Sequence, residues 1–239
     1  MSEMATAAAP AFDLYDLRIP SCADATRPYV ARIPMSEEHF IGWDHGNRLA
    51  EWVDGEAFLY MSTTLLHEQI LILLTTLLSG FCEVLSAGVV VRAPYAMRAV
   101  RGRPVREPDL VVITSEHADR LTNALLEGPA DIVVEVISPD SPRRDRVTKL
   151  AEYEAAGIPE YWLIDSRPRK REARFFVLEG GKYFELPVVE GVVRSRALPG
   201  FWLRPEWLWG PETKALHHLA EIIGAERLIG AITARAPRP

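Results

Sequence analysis

The 239-residue chain holds only two cysteines, Cys22 and Cys82. So few argue against a disulfide-framed secreted fold, and their wide spacing does not match a zinc ribbon. Both are expected to be free thiols in a reducing compartment. Long hydrophobic runs are scarce: the most apolar stretch, Ile70–Leu78, is too short to cross a bilayer. The first residues, Met-Ser-Glu-Met-Ala-Thr-Ala-Ala-Ala-Pro, have neither the basic start nor the apolar core of a signal peptide, so cytoplasmic residence is the expectation. An excess of positive charge is missing too. The formal net charge is −6, which argues against a non-specific coat on nucleic acid but leaves room for a local basic groove. No GxGxxG or GxxxxGK[ST] loop occurs, so nucleotide-driven chemistry has no support. His67-Glu68-Gln69-Ile70-Leu71 lacks the second histidine of a zinc-protease motif, and the adjacent His217 and His218 point apart on a helix. There is no internal repeat.

What is present is ordinary in bulk and unusual in one stretch. The 48% hydrophobic and 25% charged residues suit one globular domain with a substantial core. Asp131-Ile-Val-Val-Glu-Val-Ile-Ser138 reads as a central strand buried on both faces. Glu135 does not belong there, because an ionised carboxylate in such a strand is costly unless it is paired or bound to a metal. A turn over 138–142 follows, with Ser141 as N-cap and Pro142 at the first helical position. A helix then runs to about Ala156 and stops at Gly157, and Asp145, Lys149 and Tyr153 are spaced four apart along it. Glu160-Tyr-Trp-Leu-Ile-Asp165 is the next strand. Upstream, Pro108-Asp109 opens another apolar strand, Leu110–Ile113. Two acids on two strands of one sheet, Asp109 and Glu135, are a pair that holds a hard divalent cation.

Along the rest of the chain, residues 1–34 are rich in Ala, Pro and Asp and read as a flexible extension. Residues 35–208 read as the folded domain and 209–239 as a C-terminal helix and tail. Ser36 caps a short helix. Asp54-Gly55 joins two strands as a hairpin, and Thr63 or Thr64 caps a long buried helix from Leu65 to about Leu78. Val84–Arg92 and Tyr95–Ala99 read as strands, and 115–129 as a mobile connection. Gly180-Gly181 turns a second hairpin, Val192–Arg196 and Phe201–Leu203 add edge strands, and Thr213–Ile232 closes the body as a helix. Arg98 to Arg106, Arg143 to Arg146 and Arg167 to Arg171 are basic clusters. Arg106, Arg143, Arg144 and Arg146 flank the acidic positions in sequence, where a phosphate backbone would need them.

Each of these residues also has a plainer reading. Glu135 could be an acid paired for structure, Asp109 a strand-start residue, and His67 a hydrogen-bonded core histidine. Lys149 could be a surface ion pair with Asp145, worth only about 0.3–0.5 kcal/mol.

Pro108-Asp109, Glu135-Val136-Ile137, Asp145…Lys149…Tyr153 and Gly157-Ile-Pro-Glu-Tyr-Trp-Leu-Ile-Asp165 together resemble the PD-(D/E)XK nuclease superfamily, in its Uma-two branch of restriction-endonuclease-like proteins. The resemblance spans roughly Ser36 to Trp207. It implies an α/β restriction-endonuclease-like core: a mixed, mostly central-parallel sheet flanked by helices, with an N-terminal hairpin and a C-terminal hairpin plus helix. The chemistry it implies is Mg²⁺-dependent hydrolysis of nucleic-acid phosphodiesters, DNA foremost, with Mn²⁺ as a substitute metal. Asp109, Glu135 and the Val136 carbonyl would hold the metal. Lys149 would replace the lysine that the wider superfamily carries where this chain has Ile137. Glu56 matches a further acidic position of the family, with Glu51 as its rival and Asp145 as a supporting residue; His67 also matches. Paired cuts in a duplex would favour a homodimer. The alternative is a catalytically silent module that binds nucleic acid or protein and keeps the fold, a reading that Ile137 feeds.

Overall fold

The structure, a computed structural model, describes residues 31–45, 49–59, 64–137, 144–167, 170–210 and 214–234, with Arg144–Arg146 described by their backbone alone. Its first unit is a small antiparallel sheet of β1 (Ala31–Pro34), β2 (Ala50–Val53) and β3 (Glu56–Leu59), in the order β1-β3-β2. Asp54 and Gly55 both take positive φ, 49° and 88°, which is the two-residue turn that Asp-Gly favours. Ala31–Pro34 lie inside the stretch read as a flexible extension. They are ordered because they pair with β3 and bury Ile33, while residues 1–30 of that extension lie outside the described residues. Between β1 and β2, α1 (Glu37–Ile41) is capped by Ser36, whose hydroxyl accepts the His39 N–H.

Helix α2 (Leu65–Leu85) starts where the Thr64 hydroxyl accepts the His67 N–H. It runs well past Leu78, because Phe81 and Cys82 continue its buried stripe, and it ends at Ser86 in the left-handed region. At 21 residues it is long and apolar enough to cross a membrane, unlike the shorter segment read from the sequence. Here it covers one face of the main sheet and buries nine side chains.

That sheet combines β4 (Gly88–Arg92), β6 (Leu110–Thr114), β8 (Ile132–Ile137), β9 (Glu160–Asp165), β10 (Glu172–Glu179) and β11 (Lys182–Glu185) in the order β11-β10-β9-β8-β6-β4. Parallel pairing within it is confined to β8 and β9, so the sheet is more antiparallel than expected. The reason is connectivity: only β8 and β9 are joined by a helical crossover, whereas β10–β11 turn tightly at Gly180-Gly181. A separate pair, β5 (Ala96–Arg98) with β7 (Leu125–Glu127), is parallel. The connection expected to be mobile therefore contains β7, and also a turn of 3₁₀ helix at Ser115–Arg120.

The crossover helix is not uniform. Arg144–Lys149 form a turn of π-helix, and α3 (Leu150–Ala155) follows as α-helix. The Ser141 cap and Pro142 lie outside the described residues. Ile132, Val134 and Val136 pack towards α2 with Leu74, Leu77 and Phe81. Val133 and Ile137 pack on the other side with Tyr153, Ile158 and Tyr161. Glu135 shares that second face by strand alternation. At the C-terminal end, β12 (Val193–Arg194) and β13 (Trp202–Leu203) pair with each other rather than extending the main sheet. The expected closing helix is two, α4 (Ala215–Ile223) and α5 (Ala225–Thr233), separated at Gly224 with φ 89°. Gly80 lets α4 approach α2 closely, since a Cβ there would lie 2.4 Å from Leu219 Cδ2.

Candidate active site

β6 and β8 run antiparallel with Leu110 opposite Val134, so one residue further the same register sets Asp109 opposite Glu135. Both acids are buried, at 7% and 4% exposure. Asp109 is fixed by its Oδ2 atom, which accepts the Val136 N–H at 2.7 Å. Glu135 is held from the crossover: its Oε1 accepts from Lys149 Nζ at 2.7 Å and from the Tyr153 hydroxyl at 2.8 Å. The π-turn thus delivers Lys149 and α3 delivers Tyr153 to one carboxylate oxygen. Single π-turns recur at functional sites.

Lys149 is 1% exposed, so the reading of it as a surface partner of Asp145 does not hold. Its ammonium also lies 2.8 Å from Glu51 Oε1. Glu51 is fully buried on β2, and its Oε2 accepts from Arg106 at 3.1 Å. Arg106 in turn forks onto Glu152 of α3 with hydrogen bonds of 2.7–2.9 Å. The small sheet, the lead-in to β6, β8 and the crossover helix are therefore tied by one chain of ion pairs. Burial opposes the charge on Arg106, but Glu51 and Glu152 outweigh it and hold the guanidinium above its ordinary range. Burial, reinforced by the charges of Glu135 and Glu51, pushes the Tyr153 hydroxyl well up, so it stays a neutral donor.

Several expectations change here. Glu56 sits at the start of β3 and accepts from Arg32 Nε at 2.6 Å, while the acid brought to Lys149 is Glu51, the lower-ranked candidate. Alternation does not separate the two, since Val53 stands opposite Glu56 and puts both acids on one face; they differ in depth, Glu51 lying inside β2 and Glu56 beside the exposed turn. Arg106, read as a phosphate contact, is 4% exposed and engaged by two carboxylates; it belongs to the buried ion-pair chain. Arg143 lies outside the described residues, as do the side chains of Arg144, Asp145 and Arg146. His67, 3% exposed on α2, places Nε2 3.4 Å from Asp109 Oδ2. Burial works against its positive charge, but Asp109 and Glu68 prevail and its pKa is raised. Ile137 is fully buried in the apolar core, and no strand lysine stands there. Glu152 was not singled out in the sequence; its signal, a position on the helix next to Tyr153, is generic.

Among the described residues no three His, Cys, Asp or Glu side chains converge as a ready cation cage. The two carboxylates that the strand register sets opposite each other are those of Asp109 and Glu135. Such a sparse, hard set suits a cation that keeps several of its waters, as Mg²⁺ does.

A solved structure titled as a "putative nuclease belonging to DUF820" from Anabaena variabilis ATCC 29413 matches with a TM-score of 0.60 and 14% identity, covering 74% of this chain and 98% of that chain. The fold class is that of a restriction-endonuclease-like nuclease core. The family model Uma2, described as "Putative restriction endonuclease", matches residues 38–206, and the chain belongs to that family. No curated protein matches it.

Proposed function

We propose that this chain is a Mg²⁺-dependent endonuclease that hydrolyses phosphodiester bonds of DNA in the cytoplasm. One observation carries the reading: Lys149 reaches Glu135 at 2.7 Å while Asp109 stands opposite on the neighbouring strand. Two acids and a lysine are the set that a phosphodiesterase site needs, and this juxtaposition, with the lysine on the helix, is what supports the reading. Asp109, Glu135 and the Val136 carbonyl would hold the metal, and Mn²⁺ would serve in its place. When bound, the cation supplies positive charge against the phosphate and makes a water more acidic.

The chain's own residues do the rest. Lys149, fixed between Glu135 and Glu51, presents a positive charge where negative charge develops on the phosphate. Tyr153 donates to Glu135 and keeps its carboxylate oriented. Arg143, Arg144 and Arg146, which lead into the Lys149 turn in sequence, would hold the substrate backbone. Cutting both strands of a duplex calls for two copies of the chain around a two-fold axis.

The test is cleavage of plasmid, single-stranded and branched DNA with Mg²⁺ or Mn²⁺ against EDTA. Metal-dependent cuts that vanish in Asp109→Asn support the reading. Binding of DNA with no cleavage in either metal would make the chain a silent binding module instead.

A further inference from the structure

Beside the chain of ion pairs lies a cavity of about 510 Å³, within the size range of small-molecule sites. Met97, Ala99 and Val100 line it, together with Ala151 and Ala155 of α3. The small side chains of Ala151 and Ala155 leave room beside them for a ring-sized group. Arg106, Glu152 and Tyr153 also line it, so it abuts the groups that hold Glu51 and Glu135.

Its rim is charged. Asp54, on the turn of the β2–β3 hairpin, and the exposed Arg103 both line the cavity. The Arg103 guanidinium is a ready partner for a phosphate, and Asp54 and Glu152 are acceptors for exocyclic amino groups.

We propose that this cavity is a nucleotide subsite: it takes the base of a nucleotide next to the scissile phosphate, with that nucleotide's own phosphate on Arg103. The ligand class is a nucleoside 5′-monophosphate unit whose base carries an amino group. The choice of a nucleotide rests on the nuclease reading above; the cavity and its charged rim do not.

The experiment measures binding of dAMP, dCMP, dGMP and dTMP to the full chain by calorimetry, beside deoxyribose 5-phosphate and leucine. The three amino-bearing nucleotides should bind more tightly than dTMP, and the sugar phosphate should bind at least about ten-fold more weakly than any of the three, for want of the base's contacts with the cavity lining. Ala155→Trp fills the cavity from an exposed helix position, and Ala151→Phe is a second exposed change with the same purpose. Each should abolish nucleotide binding, and Arg103→Ala should weaken it by about ten-fold, as expected for removing one charge-assisted hydrogen bond. Absence of nucleotide binding, binding that survives both filled variants, or preference for leucine would overturn the proposal. Plasmid cleavage by the same preparation separates the two readings. Nucleotide binding without cleavage overturns the nuclease reading alone, and cleavage without nucleotide binding overturns the subsite alone.

Discussion

Lys149 and Glu135, fourteen residues apart, meet through a 2.7 Å hydrogen bond in a site where the strand position two residues beyond Glu135 is filled by Ile137 rather than by a lysine. The bond makes Glu135 a paired buried acid. Its removal therefore acts on the fold as well as on any bound cation, and this sets the sign of the first prediction.

Glu135→Ala should abolish metal-dependent cleavage and also lower stability by about 3–5 kcal/mol, because it strips a buried partner from Lys149. Repulsion between crowded carboxylates would predict the opposite sign, and chemical denaturation in EDTA decides between them. Asp109→Asn should abolish cleavage too. It keeps an oxygen for the Val136 N–H, so its apo stability should stay within about 1 kcal/mol of the parent.

Two acids of the same hairpin should separate cleanly. Glu51→Gln breaks the ion pairs to Lys149 and Arg106 in a fully buried position, and should cost several-fold in turnover and about 3–5 kcal/mol in stability. Glu56→Gln touches a half-exposed pair with Arg32 and should cost about 0–1 kcal/mol with cleavage intact. Loss of cleavage in Glu56→Gln with full cleavage in Glu51→Gln would reverse the assignment.

The difference between these two acids also marks how much was legible in the sequence. Glu135 stood out because a lone carboxylate inside a β-branched strand has no cheap solvated reading. Glu51 carries the same signal on a shorter strand, but its partner Arg106 is 55 residues away and periodicity does not reveal such distant pairs. The hairpins were readable from Asp54-Gly55 and Gly180-Gly181, since two-residue turns demand positive φ. The π-turn at Arg144–Lys149 was not, because a helical reading assumes 3.6 residues per turn throughout.

The basic residues entering that turn have a separate signature. Replacing Arg143, Arg144 and Arg146 by Ala should weaken DNA binding across sequences and flatten the dependence of log K on log salt, by close to one unit for each phosphate no longer neutralised. Metal affinity should stay unchanged. An unaltered salt slope would move the substrate path to the other arginine clusters.

Cys82 supplies the pH dependence. Burial pushes its thiol up to about 11, so the neutral form is favoured in the folded chain. Its contribution to stability is full below the unfolded thiol pKa, near 8.5, and is lost as pH rises through the folded value. Denaturation midpoints of the parent should therefore fall more steeply between pH 8.5 and 11 than those of Cys82→Ala. Equal slopes, or rapid alkylation of Cys82 in the native chain at pH 8, would show an accessible thiol.

The hardest test moves the lysine. Lys149→Ala should lower turnover strongly, and because Glu135 and Glu51 lose a shared cation it should also cost about 3–5 kcal/mol. Loss of activity alone therefore does not identify a catalytic ammonium. Lys149→Met keeps most of the side-chain volume and separates lost packing from lost charge. The decisive variant adds Ile137→Lys to Lys149→Ala. Ile137 shares the strand face of Glu135, so a lysine there can bring its ammonium to the same carboxylate from the strand. Ile137 is fully buried against Tyr153 and its neighbours, and its packing is worth about 2–5 kcal/mol, so stability has to be followed by denaturation alongside turnover. Partial recovery of cleavage in a folded double variant, relative to Lys149→Ala at equal fraction folded, shows that the charge matters and its backbone origin does not. A folded double variant that binds metal yet cleaves no better than Lys149→Ala would show that Lys149 acts through its tie to Glu51 and Arg106, as a brace for the hairpin rather than a charge for the phosphate.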